Sequence, residues 1–213
     1  MFSYCSNSPV AFCDSTGTAS LSIFRKLGRI IKGFYNTLSF SNYLSNTSAD
    51  SKKSTTTKNK IINDQNGTTG NTFKYGLHNA SWNACEAIAV HNAKVLTNRE
   101  SSLSKTLRDF QQNGAMIGDG YFGSNPLLIG RVLNSQGIYN HKVKLDEMTS
   151  AGVYIVSFWN DGAPWNGLHT VAVSYDGAAY TTYNLKGRGE TSNLNPADYA
   201  SNYICGYYLG AAL

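Results

Sequence analysis

Asn79-Ala80-Ser81-Trp82-Asn83-Ala84-Cys85-Glu86-Ala87-Ile88-Ala89-Val90 is where a polar loop gives way to an alanine-rich apolar run, with a cysteine at the junction. The run continues to Leu96, and Ala84, Ala87, Ile88, His91 and Val95 recur at helical spacing, so the pattern predicts a helix over 84–96. Ser81 or Asn83 has the side chain to cap it. A thiol at such a helix start faces backbone N–H groups and the positive end of the dipole, which favour the thiolate, the reactive form of cysteine.

Two more helices are expected downstream. One runs from Leu103 to Gln112 behind Ser102, with Gly114 as its stop, and one starts at Asn125-Pro126 and ends near Gly137. The chain then changes period. Val153–Trp159, Leu168–Tyr175, Ala179–Leu185 and Tyr203–Leu209 are β-branched and aromatic runs, and Asp176-Gly177 supplies a hairpin turn between the second and third. Helices followed by antiparallel strands define an α+β domain.

The second of these strands opens Gly167-Leu168-His169-Thr170-Val171, which puts an imidazole at a strand head, and Asn184 follows fifteen residues later in Thr182-Tyr183-Asn184-Leu185. In order and spacing, Cys85, His169 and Asn184 resemble the papain-like cysteine peptidase fold group, and most closely the compact bacterial branch that includes the bacteriocin-leader-processing peptidases. The resemblance spans about residues 75–210. It implies a nucleophile helix packed on the antiparallel sheet across a cleft. It also implies an amide donor six residues before the nucleophile, the place held here by Asn79 instead of glutamine.

The chemistry of the residue types leads the same way. Cys85 would attack a peptide carbonyl, and His169 would take the thiol proton and return it to the leaving amine. The Asn184 side-chain oxygen would hold the imidazole in the useful tautomer. Asn79 and the Cys85 N–H would meet the tetrahedral oxyanion, with Asn83 as the rival donor. A buried cysteine on its own is usually inert and a lone strand histidine is usually core, so only the combination supports catalysis. The expected function is a thiol-dependent peptidase, or an acyl transferase using the same acyl-enzyme. The alternative is a catalytically silent papain-like module that binds a peptide or partner. Trp82, Trp159, Trp165, His78 and the turn 161–167 are candidates for the rim of such a cleft. No cofactor is implied, and no His/Cys cluster has metal-ligand spacing.

Charge divides the chain. Residues 1–74 carry nine Lys and Arg against three Asp and Glu, whereas residues 75–213 carry nine against ten. The second part therefore lacks the basic stripe that nucleic-acid binding requires, and the partner to expect is a peptide or protein substrate. Residues 1–72 are read as a basic, polar leader and 73–213 as the peptidase domain. Within the leader, 20–38 mixes apolar residues with four cations as an amphipathic helix would, for a membrane surface, a partner or the main domain. Residues 39–72 read as a solvated linker. The resemblance further suggests an inhibitory propeptide. The first residues lack a secretory pattern, so either a cytoplasmic location or export by another route fits the sequence. The four cysteines, at 5, 13, 85 and 205, form no disulfide framework, and Cys205 reads as a small buried hydrophobe.

Overall fold

The computed structural model describes residues 58–160, 167–186, 189–200 and 202–212. The leader through residue 57, with Cys5, Cys13 and the helix expected over 20–38, lies outside them, as do Trp165 and most of the turn before His169.

The helix at the cysteine forms where its pattern places it, as α3 (Cys85–Leu96). It follows α1 (Thr68–Thr72), the two-residue strands β1 (Lys74–Tyr75) and β2 (His78–Asn79), and the single turn α2 (Ala80–Asn83). Every residue of α3 from Cys85 to Lys94 is buried, the apolar Ala87, Ile88, Ala89, Val90 and Ala93 together with the polar Glu86, His91, Asn92 and Lys94. Its cap differs from expectation. Ala84 holds the N-cap position without a side-chain bond, because Ser81 Oγ donates to Asn71 and the Asn83 amide donates to the Tyr75 and Gly120 carbonyls.

Helix α4 (Leu103–Gln112) buries Leu103, Thr106, Leu107 and Phe110. The Asn-Pro start works as read: Asn125 Oδ1 accepts from the Leu127 N–H at 3.0 Å, opening a 3-10 turn that leads into α5 (Ile129–Ser135).

Five antiparallel strands form the sheet, in the order β3 (His141–Val143), β7 (Tyr203–Gly210), β4 (Gly152–Trp159), β5 (Leu168–Tyr175), β6 (Tyr180–Tyr183). The turn into β6 is held by Asp176 Oδ1, which accepts from the Ala178 and Ala179 N–H groups, both at 2.8 Å. Strand alternation sorts the core into two. Ile155, Ala172, Cys205, Tyr207 and Leu209 join α3, α4 and α5 on one face. Tyr154, Val156, Phe158, Val171 and Val173 pack with Val143, Met148 and Ala200 on the other. The architecture is α+β.

The linker expected over 39–72 does not hold for its second half. Ile62 is 4 % exposed and joins the helix-side core. Asn92, buried on α3, accepts from the Ile62 N–H and donates to the Ile62 carbonyl, both at 2.8 Å, acting as a strand neighbour would. His91 Nε2 donates to the Lys60 carbonyl at 2.7 Å while Ser101 Oγ bonds Nδ1 at 2.8 Å. One buried isoleucine and a few fixed backbone bonds outweigh the polar composition that marks a linker. The boundary drawn at residue 72 is therefore too late, and residues 58–72 belong to the domain.

Ile62→Ala should cost about 2–4 kcal/mol, read as a lower midpoint in urea unfolding. Limited proteolysis of the native chain should produce no cut between residues 58 and 72. Early cleavage there, or an unchanged midpoint, would contradict this packing.

Candidate active site

Sγ of Cys85 points from the start of α3 to the Leu168 carbonyl, as a long S–H···O contact of 3.9 Å. The direction of that carbonyl follows from its neighbour. The Gly167 carbonyl accepts from the Asn160 N–H beside β4, so the next carbonyl along the strand faces away from β4. Pairing with β6 covers only Ala172–Tyr175. The thiol thus lies at the edge of β5 beyond the end of β6, against the residue that precedes His169.

His169 approaches the same edge from the other face of the sheet. It is paired with Phe158, and the two rings meet edge to face with centroids 5.9 Å apart, in the cluster opposite α3. Its Nε2 lies 2.8 Å from the backbone oxygen of Asn184. A carbonyl only accepts, so Nε2 carries the proton and Nδ1 keeps the lone pair. Burial pushes the ring pKa down from 6.5 to about 4, against the opposing pull of the Asn184 and Leu185 carbonyls. Near neutrality the imidazole is therefore uncharged, with Nδ1 as its basic atom. Both Cys85 and His169 are 2 % exposed.

Asn184 orients the ring, but by a different atom from the one its residue type suggests. Its side chain turns to Gln65, with Nδ2 donating to Gln65 Oε1 at 2.8 Å and Oδ1 accepting from the Gln65 N–H at 3.3 Å. Its main chain sits at φ +63, a left-handed conformation that asparagine tolerates better than most residues. The expectation that the Asn184 amide oxygen holds the imidazole is corrected: the backbone carbonyl does so.

Asn79 ends β2 opposite Lys74 and stands at the N-cap of α2, partly buried. Asn83 has both amide donations committed to the Tyr75 and Gly120 carbonyls, so its role is to hold the loop, and Asn79 remains the side-chain donor to consider. Sequence reasoning missed Gln65 and Asn63. Both lie in the polar stretch, and the only local sign of order was Ile61-Ile62 just before them.

The other candidates separate. His91 is core, Cys205 is a buried strand thiol whose pKa burial pushes up to about 11, and His141 is exposed beside Tyr208. His78 stacks on Trp82 at 5.3 Å and touches Tyr121. Trp159 is partly buried at the end of β4. Among the described residues no three His, Cys, Asp or Glu side chains gather as a metal ion would require, and no helix is long and apolar enough to cross a membrane. No protein-family model and no curated protein matches the chain.

Acid should loosen this arrangement. His169 and His91 are both held near a pKa of about 4 by burial, so between about pH 4 and 6.5 the unfolded chain binds protons that the folded chain refuses. Their contribution is complete above pH 6.5, falls as pH drops towards 4, and amounts to about 3 kcal/mol each. Urea midpoints should decline across that window while both ring C–H signals stay at their neutral positions at pH 6. A ring titrating near 6.5 would contradict the burial assigned to it.

Proposed function

We propose that this chain is a thiol-dependent peptidase or acyl transferase with a papain-like arrangement, using Cys85 as nucleophile and His169 as base on peptide amide bonds. One observation carries the reading: the Asn184 carbonyl fixes Nε2–H of His169 and leaves Nδ1 as the lone pair, at the β5 edge where the Cys85 thiol lies. That is the tautomer a base for a thiol needs.

In the proposed reaction Sγ bonds to the substrate carbonyl carbon as the thiol proton passes to His169 Nδ1. The tetrahedral oxyanion meets backbone N–H groups where α3 begins, with Asn79 as the side-chain donor. Collapse breaks the C–N bond, the imidazolium returns its proton to the leaving amine, and a thioester remains. Water attacking the thioester gives hydrolysis; an amine attacking it gives transfer. The two side chains reach the edge from opposite faces and both are buried, so substrate meets them only when the edge opens.

Those same two facts favour a second reading, a silent papain-like module whose thiol and imidazole are packing groups. Labelling separates the two. A peptidyl electrophile should form one rapid adduct, mapped by intact mass and peptide analysis to Cys85 and absent in Cys85→Ala. Cys205 should stay unlabelled, since its thiol is pushed up to about 11. His169→Ala should slow labelling by about a hundredfold or more. Asn79→Ala should lower turnover by about a hundredfold, and Asn83→Ala should lower stability instead. Equal labelling of the parent and Cys85→Ala, or an unreactive Cys85, would sink the enzyme reading and leave the silent module.

A further inference from the structure

We infer that Gln65 is a positioning residue for the candidate base: through Asn184 it sets which nitrogen of His169 carries the proton. This rests on the catalytic reading only for its consequence, since the geometry holds whether or not Cys85 reacts. Gln65 is 2 % exposed, and its hydrogen bonds run to Asn184, Ala80 and Ser81. It thereby connects the segment that leads into the thiol with the one that holds the imidazole. On one side it forms the reciprocal pair with the Asn184 amide. On the other its Nε2 reaches the Ala80 carbonyl at 3.5 Å and the Ser81 carbonyl at 3.3 Å, in the turn that leads into Cys85.

The Asn184 peptide needs such a hold. Past the last pair of β5 with β6 no ladder among the described residues aims its carbonyl, and the residue sits in the left-handed region at φ +63. Three bonds fix it: two amide–amide bonds to Gln65, and the Asn184 N–H donating to Asn63 Oδ1 at 2.9 Å. All three come from residues 63–65. An apolar side chain of the same size would fill the space as well as glutamine does. It would keep the residue-65 backbone N–H bond to Asn184 Oδ1, but it would strand the buried Asn184 Nδ2 and break the link to the Ala80 and Ser81 carbonyls, loosening the Asn184 carbonyl and with it the preference for the Nε2–H tautomer. Residues 63–65 are thus part of the site itself.

The test is made in the full chain with nitrogen-15-labelled histidine. The parent should show His169 protonated at Nε2 and unprotonated at Nδ1. Gln65→Met should populate the Nδ1–H tautomer and slow Cys85 labelling by up to about a hundredfold. Gln65→Glu, which keeps an acceptor for Asn184 Nδ2, should restore the parental tautomer. Val132→Ala, a buried core position on α5 outside residues 58–65, serves as the stability control, lowering the urea midpoint with no change in tautomer. If Gln65→Met does not fold, Asn184→Gly replaces it, since glycine accepts the left-handed conformation and deletes both amide–amide bonds. A single Nε2–H tautomer in whichever of these two variants folds overturns the proposal. A tautomer shift with an unreactive Cys85 supports the positioning role and counts against the enzyme reading alone.

Discussion

The bond from His169 Nε2 to the Asn184 carbonyl is the constraint on which the rest of the site depends. It ties the start of β5 to the end of β6 past their last paired residues, and it decides the chemistry of the ring. An imidazole buried against Phe158 is held neutral, so its chemistry turns on which nitrogen keeps the lone pair. Burial alone would leave that choice open. The carbonyl makes it, and the asparagine that supplies the carbonyl is held by a segment more than a hundred residues away in sequence.

Burial and polarity are therefore coupled along one line through the molecule. Helix α3 brings the thiol to the sheet edge and, six and seven residues further on, His91 and Asn92 capture the backbone of Lys60 and Ile62. That capture places Asn63 and Gln65, which place Asn184, which places His169. Each buried polar group here has a partner whose removal leaves a donor or acceptor stranded, a loss usually larger than the net worth of the bond. Damage to the helix–segment contact is accordingly expected to reach the ring without touching it.

Much of the fold was legible because its elements carry strong periodicity. Cys85–Leu96, Leu103–Gln112 and Leu168–Tyr175 follow the apolar pattern almost to the residue. The strand His141–Val143 was missed because three residues, two of them exposed, give no alternation to read. Residues 58–65 were missed for a related reason: Ile62 and two backbone-binding asparagine contacts are tertiary facts, and local composition there is that of a linker. At the site, the residue types and their order pointed to Cys85, His169 and Asn184. The atom that does the orienting was not legible, since a positive φ and an amide partner at residue 65 turn the Asn184 side chain away and leave its carbonyl for the ring. Which face of β5 carries the imidazole depends on register, and the pairing of His169 with Phe158 settles it.

The central claim is that the thiol and the imidazole, which reach one sheet edge from opposite faces, act on one bond. A crystal structure of the Cys85 adduct with a peptide aldehyde tests it most directly. The account predicts His169 Nδ1 within about 4 Å of the adduct while Nε2 remains on the Asn184 carbonyl. A ring still packed against Phe158, with the adduct held by other groups, would contradict it.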